Sequence, residues 1–221
     1  MINATKGKAK KGSRYWIQEI INNEATRSKL DNMIAKEELQ WLSPLKSADY
    51  EEFQLKHDYI ISSLGVSKKD AVALFSFWPS SQPWWDALAI SKDKSTLYLV
   101  EAKAHVSEMI SKCQAGEKSF KKIEKALKYV MEKYYNSNNF DAWINIYYQL
   151  ANRLAYLRIL NEKPLGTISK VKLVLLNFAN DYTYIETTMD QWEEHNQAVF
   201  EAMIGSKSAP EDVIIINYNL K

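Results

Sequence analysis

Glycine is scarce in this chain, six in 221 residues, and no G-x-x-x-x-G-K run occurs. A phosphate-cradling loop of the Walker type is therefore excluded. Cysteine is scarcer still. Cys113 stands alone, so an internal disulfide and a paired C-x-x-C are both ruled out, and a free thiol in a reducing cytoplasm is expected. No apolar run approaches the ~20 residues needed to cross a bilayer. No apolar segment follows the basic start, so neither a membrane partner nor a secretory signal is expected. The H-E-x-x-H and G-x-S-x-G patterns are also missing, which removes zinc-peptidase and serine-hydrolase chemistry. Charge of one sign is lacking as well: 29 basic against 27 acidic residues leave a net charge of +2. A protein that coats nucleic acid nonspecifically is far more basic, so any such binding must be local to one cationic wall.

What the chain does have is apolar content and aromatics. A hydrophobic fraction of 46% over 221 residues suffices for one packed domain spanning 1–221. Seven tryptophans and thirteen tyrosines are placed mostly at core-like spacings. Trp84, on the strand face of Asp86, is the one that would line a substrate groove by stacking. Lys6, Lys8, Lys10, Lys11 and Arg14 precede the first acid, Glu19. Residues 1–12 read as a flexible basic arm, solvated by default and a phosphate grip in the functional alternative.

Residues 13–65 read as a helical N-terminal region. The spacing predicts helices over 13–23 and 26–42, and a third carrying Tyr50, Phe53, His57, Ile60, Ile61 and Leu64. Residues 70–221 read as an α/β core. Strands are expected over 71–77, 87–90, 96–100 and onward to Lys103, 171–178 and 213–216, with helices over 119–135, 143–160 and 189–203. The continuous apolar run at 171–178 implies a strand covered on both faces.

The most informative stretch is Pro83-Trp84-Trp85-Asp86 followed, fifteen residues after the aspartate, by Glu101-Ala102-Lys103. The intervening residues read as strand, polar turn and strand. A hairpin centred between Asp93 and Lys94 makes paired residue numbers add to 187, which sets Asp86 opposite Glu101. Lys103, two residues on, shares that face because side chains alternate along a strand. Two acids and a lysine on one face suit a divalent-metal site with a cationic helper.

This constellation resembles the PD-(D/E)xK nuclease superfamily, the restriction-endonuclease-like fold with an αβββαβ core and a mixed sheet flanked by helices. The resemblance implies that Asp86 and Glu101 hold Mg²⁺, with Mn²⁺ as substitute, and that Lys103 positions the attacking water. Here Pro83 stands three residues before Asp86, with two tryptophans between. Phe77-Trp78-Pro79, Trp85-Asp86-Ala87-Leu88, Val100 to His105 and Tyr148 to Ala155 also look like a bacterial group of nuclease-fold proteins of unassigned activity. The implied activity is Mg²⁺-dependent hydrolysis of DNA, with RNA as second choice. The alternative is a nuclease-fold interaction module of little or no activity, since fold does not fix function. A homodimer is among the oligomeric states left open.

Four further residues have both a functional and a structural reading. Glu19, on the first helix, matches the helical glutamate that approaches the metal in nucleases of this kind, or is a surface acid. His105 follows on the face of Glu101 and Lys103, as a ligand or general base or as a hydrogen-bonded strand-end residue. Gln149 and Arg153 are four apart on a helix suited to burial and share a face. Their partners are a phosphate or the catalytic acids, or, for Arg153, a structural acid inside the fold.

Overall fold

The computed structural model describes residues 6–163 and 165–221. Helices α1 (Gly12–Ile21) and α2 (Glu24–Ile34) lead into an edge strand, β1 (Gln40–Ser43), and then short helices α3 (Asp58–Ser63) and α4 (Lys68–Leu74). The hairpin β2 (Ala87–Ile90) and β3 (Thr96–Lys103) follows, then α5 (Glu117–Val130) and α6 (Tyr148–Leu160). β4 (Lys170–Ala179), α7 (Met189–Ile204) and β5 (Val213–Asn219) complete the order. The five strands form one sheet in the order β1-β2-β3-β4-β5. β1, β2 and β3 pair antiparallel, whereas β3, β4 and β5 run parallel. The protein is thus α/β, with an open mixed sheet flanked by helices. No helix among the described residues is long and apolar enough to cross a membrane.

Alternation along the strands divides the apolar residues between two faces. Ala87, Ala89, Tyr98, Val100, Val174 and Leu176 pack with Trp16, Ile17 and Ile20 of α1 and Leu30 and Ile34 of α2. Leu88, Ile90, Leu97, Leu99, Leu173 and Leu175 pack on the other side with α5, α6 and α7. β4 is buried on both faces from Leu173 to Ala179, as a run that is apolar on both faces but for Asn177 requires.

The hairpin register is fixed by its turn. Ala87 pairs with Val100 and Leu88 with Leu99, the sum of 187 expected from the sequence. Lys94 takes the left-handed conformation, φ +58°. Asp93 Oδ1 accepts from the Ser95 N–H at 2.9 Å, while Ser91 Oγ accepts from Ser95 N–H at 3.1 Å and Thr96 N–H at 2.9 Å. A one-residue slip would break these bonds and turn Glu101 to the opposite face.

The N-terminal half departs from expectation in several places. The helix predicted over 26–42 stops at Ile34, and Gln40–Ser43 is the edge strand β1. Lys36 sits at φ +58°, a helix stop made without the usual glycine. Asp31 accepts from Leu39 N–H at 3.2 Å and from Trp41 Nε1–H at 2.8 Å, folding β1 back onto α2. Of the third predicted helix only Asp58–Ser63 is helical. The predicted strand 71–77 is instead α4 and a 3₁₀ turn, Phe75–Phe77. Ser67 caps it by accepting from the Asp70 N–H at 3.1 Å, and burial of Ala71, Phe75 and Trp78 follows helical rather than strand spacing. In the basic arm, residues 1–5 lie outside the described residues. Residues 6–12, expected to be flexible, are tied down: Gly7 N–H donates to Asp49 O at 2.8 Å, Ala9 N–H to Gln18 Oε1 at 2.8 Å, and Gln18 Nε2 to Gly7 O at 3.2 Å.

Candidate active site

Asp86 immediately precedes β2, and Glu101 and Lys103 lie in the last turns of β3. The register that pairs Ala87 with Val100 sets Asp86 across from Glu101, on the sheet face that carries α6. Asp86 is half-buried, and its Oδ2 accepts from the Ala102 N–H at 2.7 Å. No other hydrogen bond to this carboxyl occurs among the described residues. Glu101 is buried at 3% exposure and is held from two sides. Lys103 Nζ donates to its Oε1 at 2.5 Å, and Arg153 Nε to its Oε2 at 2.6 Å.

The cationic side of the site comes from β3 and α6. Gln149 Oε1 accepts from Lys103 Nζ at 2.9 Å. Arg153, one helical turn on, also donates through NH2 to the Trp84 carbonyl at 2.7 Å and through NH1 to Asn152 Oδ1 at 2.9 Å. Its guanidinium lies 4.4 Å from the Trp85 ring centroid. Polar residues on an otherwise buried helix had implied polar partners. For Arg153 the partner is Glu101, one of the candidate acids.

Two residues that the sequence did not single out belong to the same neighbourhood. An antiparallel bridge between Phe53 and Trp85 brings Glu52 beside Asp86. Glu52 is itself paired with Arg14 Nε at 2.9 Å. No local pattern marks Glu52, because its proximity depends on a single long-range bridge. Asn177 pairs with Lys103 across β3 and β4 and is buried at 1% exposure. Its Nδ2 donates to Asn217 Oδ1 at 3.0 Å, extending the polar row across the sheet. Here a signal was present: Asn177 is the polar interruption in an apolar run.

Glu19 is not brought to the cluster. Its carboxylate pairs with Lys8 at 2.8 Å on α1. His105 lies just beyond Lys103, with Nδ1 2.7 Å from Ser107 Oγ and Nε2 3.2 Å from Glu108 Oε1. Both ring nitrogens are thus engaged by the turn that follows β3.

The electrostatics separate the two acids. Burial, and then the neighbouring Glu101 charge, push the Asp86 carboxyl up to about 8. Burial also works to raise Glu101, but Arg153 and Lys103 overrule it and hold that carboxyl below its ordinary range. Lys103 loses hydration on burial, yet Glu101 and Asp86 raise its ammonium above the usual lysine value. Burial raises Glu52 despite Arg14. Glu101 is therefore an ion-paired carboxylate, whereas Asp86 has one neutral backbone donor and an acidic neighbour.

Among the described residues no cluster of three or more His, Cys, Asp or Glu side chains is arranged as a metal cage. The donor set suits a different kind of site. Mg²⁺ takes hard oxygen ligands, keeps several waters and uses one or two carboxylates rather than an all-protein shell. Asp86 retains an oxygen with no protein donor, and a cation there would offset the burial and the Glu101 charge that now raise its carboxyl. Each Glu101 oxygen keeps a lone pair beyond its ion pair. Comparison with protein-family models, with curated proteins and with solved structures finds no match.

Proposed function

We propose that this protein is a Mg²⁺-dependent nuclease of restriction-endonuclease-like architecture that hydrolyses phosphodiester bonds in DNA. The supporting observation is the placement of Asp86, Glu101 and Lys103 on one sheet face, with an Asp86 carboxyl that no cation pairs among the described residues and whose pKa is raised to about 8. Asp86 and Glu101 would hold Mg²⁺, which supplies a bound water of lowered pKa and neutralises charge on the phosphate. Lys103, kept as an ammonium by Glu101 and Asp86, is a donor and not a base at neutral pH. It orients the attacking water or hydrogen-bonds a non-bridging phosphate oxygen. Hydrolysis forms a bond from the water oxygen to phosphorus and breaks one phosphorus–ester bond, the departing oxygen taking up a proton. Gln149 positions Lys103, and Arg153 positions Glu101.

A second reading rests on the same hydrogen bonds. Both Glu101 oxygens are occupied by Arg153 and Lys103, as in a structural ion-pair cluster of an interaction module without catalysis. Metal response separates the two. Asp86→Asn removes the acid–acid repulsion at nearly constant volume, so the metal-free variant should melt at the parent's temperature or above it. Mg²⁺ or Mn²⁺ at a hundredfold excess over its dissociation constant should stabilise the parent by ~2.7 kcal/mol and the variant much less. Absence of any metal-dependent shift in the parent, or of Mg²⁺-dependent cleavage of both single-stranded and plasmid DNA, would reject the nuclease reading.

The pH dependence has a definite sign. A carboxyl whose folded pKa is raised binds more protons folded than unfolded, so its contribution to stability is greatest below the unfolded value. That contribution is lost as pH rises from about 4 through the folded value near 8. Metal must displace this proton, so affinity should increase as pH climbs toward 8. Asp86→Asn should flatten both trends.

A further inference from the structure

The residues that link β4 to α7 carry an unusual group of exposed aromatics. Tyr182 is 74% exposed and Tyr184 51%. β3 and β4 run parallel, with Lys103 paired to Asn177, so this segment leaves the sheet at the edge where the Asp86–Glu101–Lys103 cluster lies. It is held in shape rather than loose. Asp181 Oδ1 accepts from Thr183 N–H at 2.7 Å and from its hydroxyl at 2.6 Å, and Gly12 N–H reaches Thr183 Oγ1 at 3.4 Å. The Tyr184 ring lies 5.6 Å from His105, which follows Lys103, and the Lys11 ammonium stands 3.9 Å from its centroid. On the other flank Trp84, two residues before Asp86, exposes 36% of its surface while Arg153 fixes its carbonyl.

The basic residues nearby come from the N-terminal segment. Lys6, Lys8 and Arg14 pair with Glu51, Glu19 and Glu52. Lys10 and Lys11 are exposed, and neither has a carboxylate partner among the described residues. With a net charge of +2 any electrostatic grip is confined to a local patch, and exposed rings beside it would add stacking.

Resting on the phosphodiesterase reading, we propose that the substrate is single-stranded DNA, whose bases stack on Tyr184 and Trp84 at either side of the carboxylates while Lys10 and Lys11 contact its phosphates. Exposed rings offer an unpaired base a π-face regardless of sequence. A duplex keeps its base faces stacked on one another and gains nothing from them.

Binding measured in chelator tests this without requiring cleavage. The probe is a labelled mixed-sequence DNA strand of about 16 nucleotides, at the upper end of common single-strand site sizes, against its own duplex, by fluorescence anisotropy. The parent should prefer the single strand about tenfold or more, and Tyr184→Ala and Trp84→Ala should each weaken it about tenfold. Tyr184→Phe keeps the ring and should bind as the parent does. Lys10→Gln with Lys11→Gln should reduce the slope of log K against log salt by about 1.4, at ~0.7 per single-strand phosphate contact. Each variant's melting temperature checks that it is folded. Equal or tighter binding of duplex, no binding of either DNA, or unchanged affinity in both ring variants would overturn the proposal. Single-strand binding with these responses but no Mg²⁺-dependent cleavage would leave the single-strand binding site standing and reject the nuclease reading instead.

Discussion

Arg153→Ala should lower the free energy of unfolding by about 3–5 kcal/mol, the cost of removing one partner from a buried ion pair. The residue is 3% exposed and ties α6 to β3 through Glu101 and to the Trp84 carbonyl. Its loss leaves Glu101 with Lys103 alone and the carbonyl without a donor. Against a total stability of about 5–15 kcal/mol, this is a large fraction. For a chain of this size it corresponds to a fall in Tm of roughly 6–20 °C. Glu101 adds a pH signature. Its carboxyl titrates below the ordinary range, so its stabilising share is present above the unfolded value and lost as pH falls through the folded one. Arg153→Ala should remove most of that acid dependence. Arg153→Lys keeps the charge but not the planar fork and should fall between. If Arg153 gripped phosphate instead, Arg153→Ala would weaken DNA binding and flatten its salt dependence with little change in Tm. A variant neutral in both measurements would reject both roles.

The parts of this protein that could be read from its sequence are those where local chemistry and tertiary packing agree. The β2–β3 register followed from a turn whose serines and Asp93 bond their own backbone, and β4 from an apolar run that only a doubly covered strand accommodates. α7 announced itself by periodicity, and the structure adds a reciprocal cap between Thr188 and Gln191. α4 misled because Ala71 to Phe77 is continuously apolar, and short runs of this kind do not distinguish strand from helix by hydrophobicity. The Ser67-x-x-Asp70 cap was the stronger signal. β1 was hidden because its place in the sheet depends on Asp31 reaching Leu39 and Trp41 from α2, a contact without a local signature.

The candidate site divides along the same line. Asp86, Glu101 and Lys103 are related by one hairpin, so counting residues placed them. Gln149 and Arg153 stood out as polar side chains on a buried helix, and what they touch, Lys103 and Glu101, required the fold. Glu52 required it entirely, since the bridge at Phe53 and Trp85 joins segments with no sequence relation. The aromatics at Tyr182 and Tyr184 were unremarkable among thirteen tyrosines until the parallel sheet set them at the edge of the cluster.

Cleavage itself should depend on the three residues in different ways. Asp86→Asn should abolish Mg²⁺-dependent cleavage while leaving the protein folded, because it removes a metal ligand and a buried titratable carboxyl at the same time. Asp86→Ala should be equally inactive. Glu101→Ala should be inactive too, but it strands Arg153 and Lys103 as unpaired buried cations. Its rate must therefore be referred to the folded fraction, or the loss will be misread as catalytic. Lys103→Ala should reduce kcat by about 10²–10³-fold, the range for removing one positioned hydrogen-bond donor, and leave DNA affinity nearly unchanged. An interaction made mainly in the transition state appears in kcat rather than in binding. Because Glu101 and Asp86 hold the Lys103 ammonium above its usual value, no basic limb from this residue should enter the pH–rate profile below the ordinary lysine range, and Lys103→Arg should recover part of the rate. Full cleavage in any one of the alanine variants would remove that residue from the mechanism. A basic limb near neutrality that vanishes in Lys103→Ala would instead make Lys103 the base that takes the water's proton and reject its role as a fixed donor.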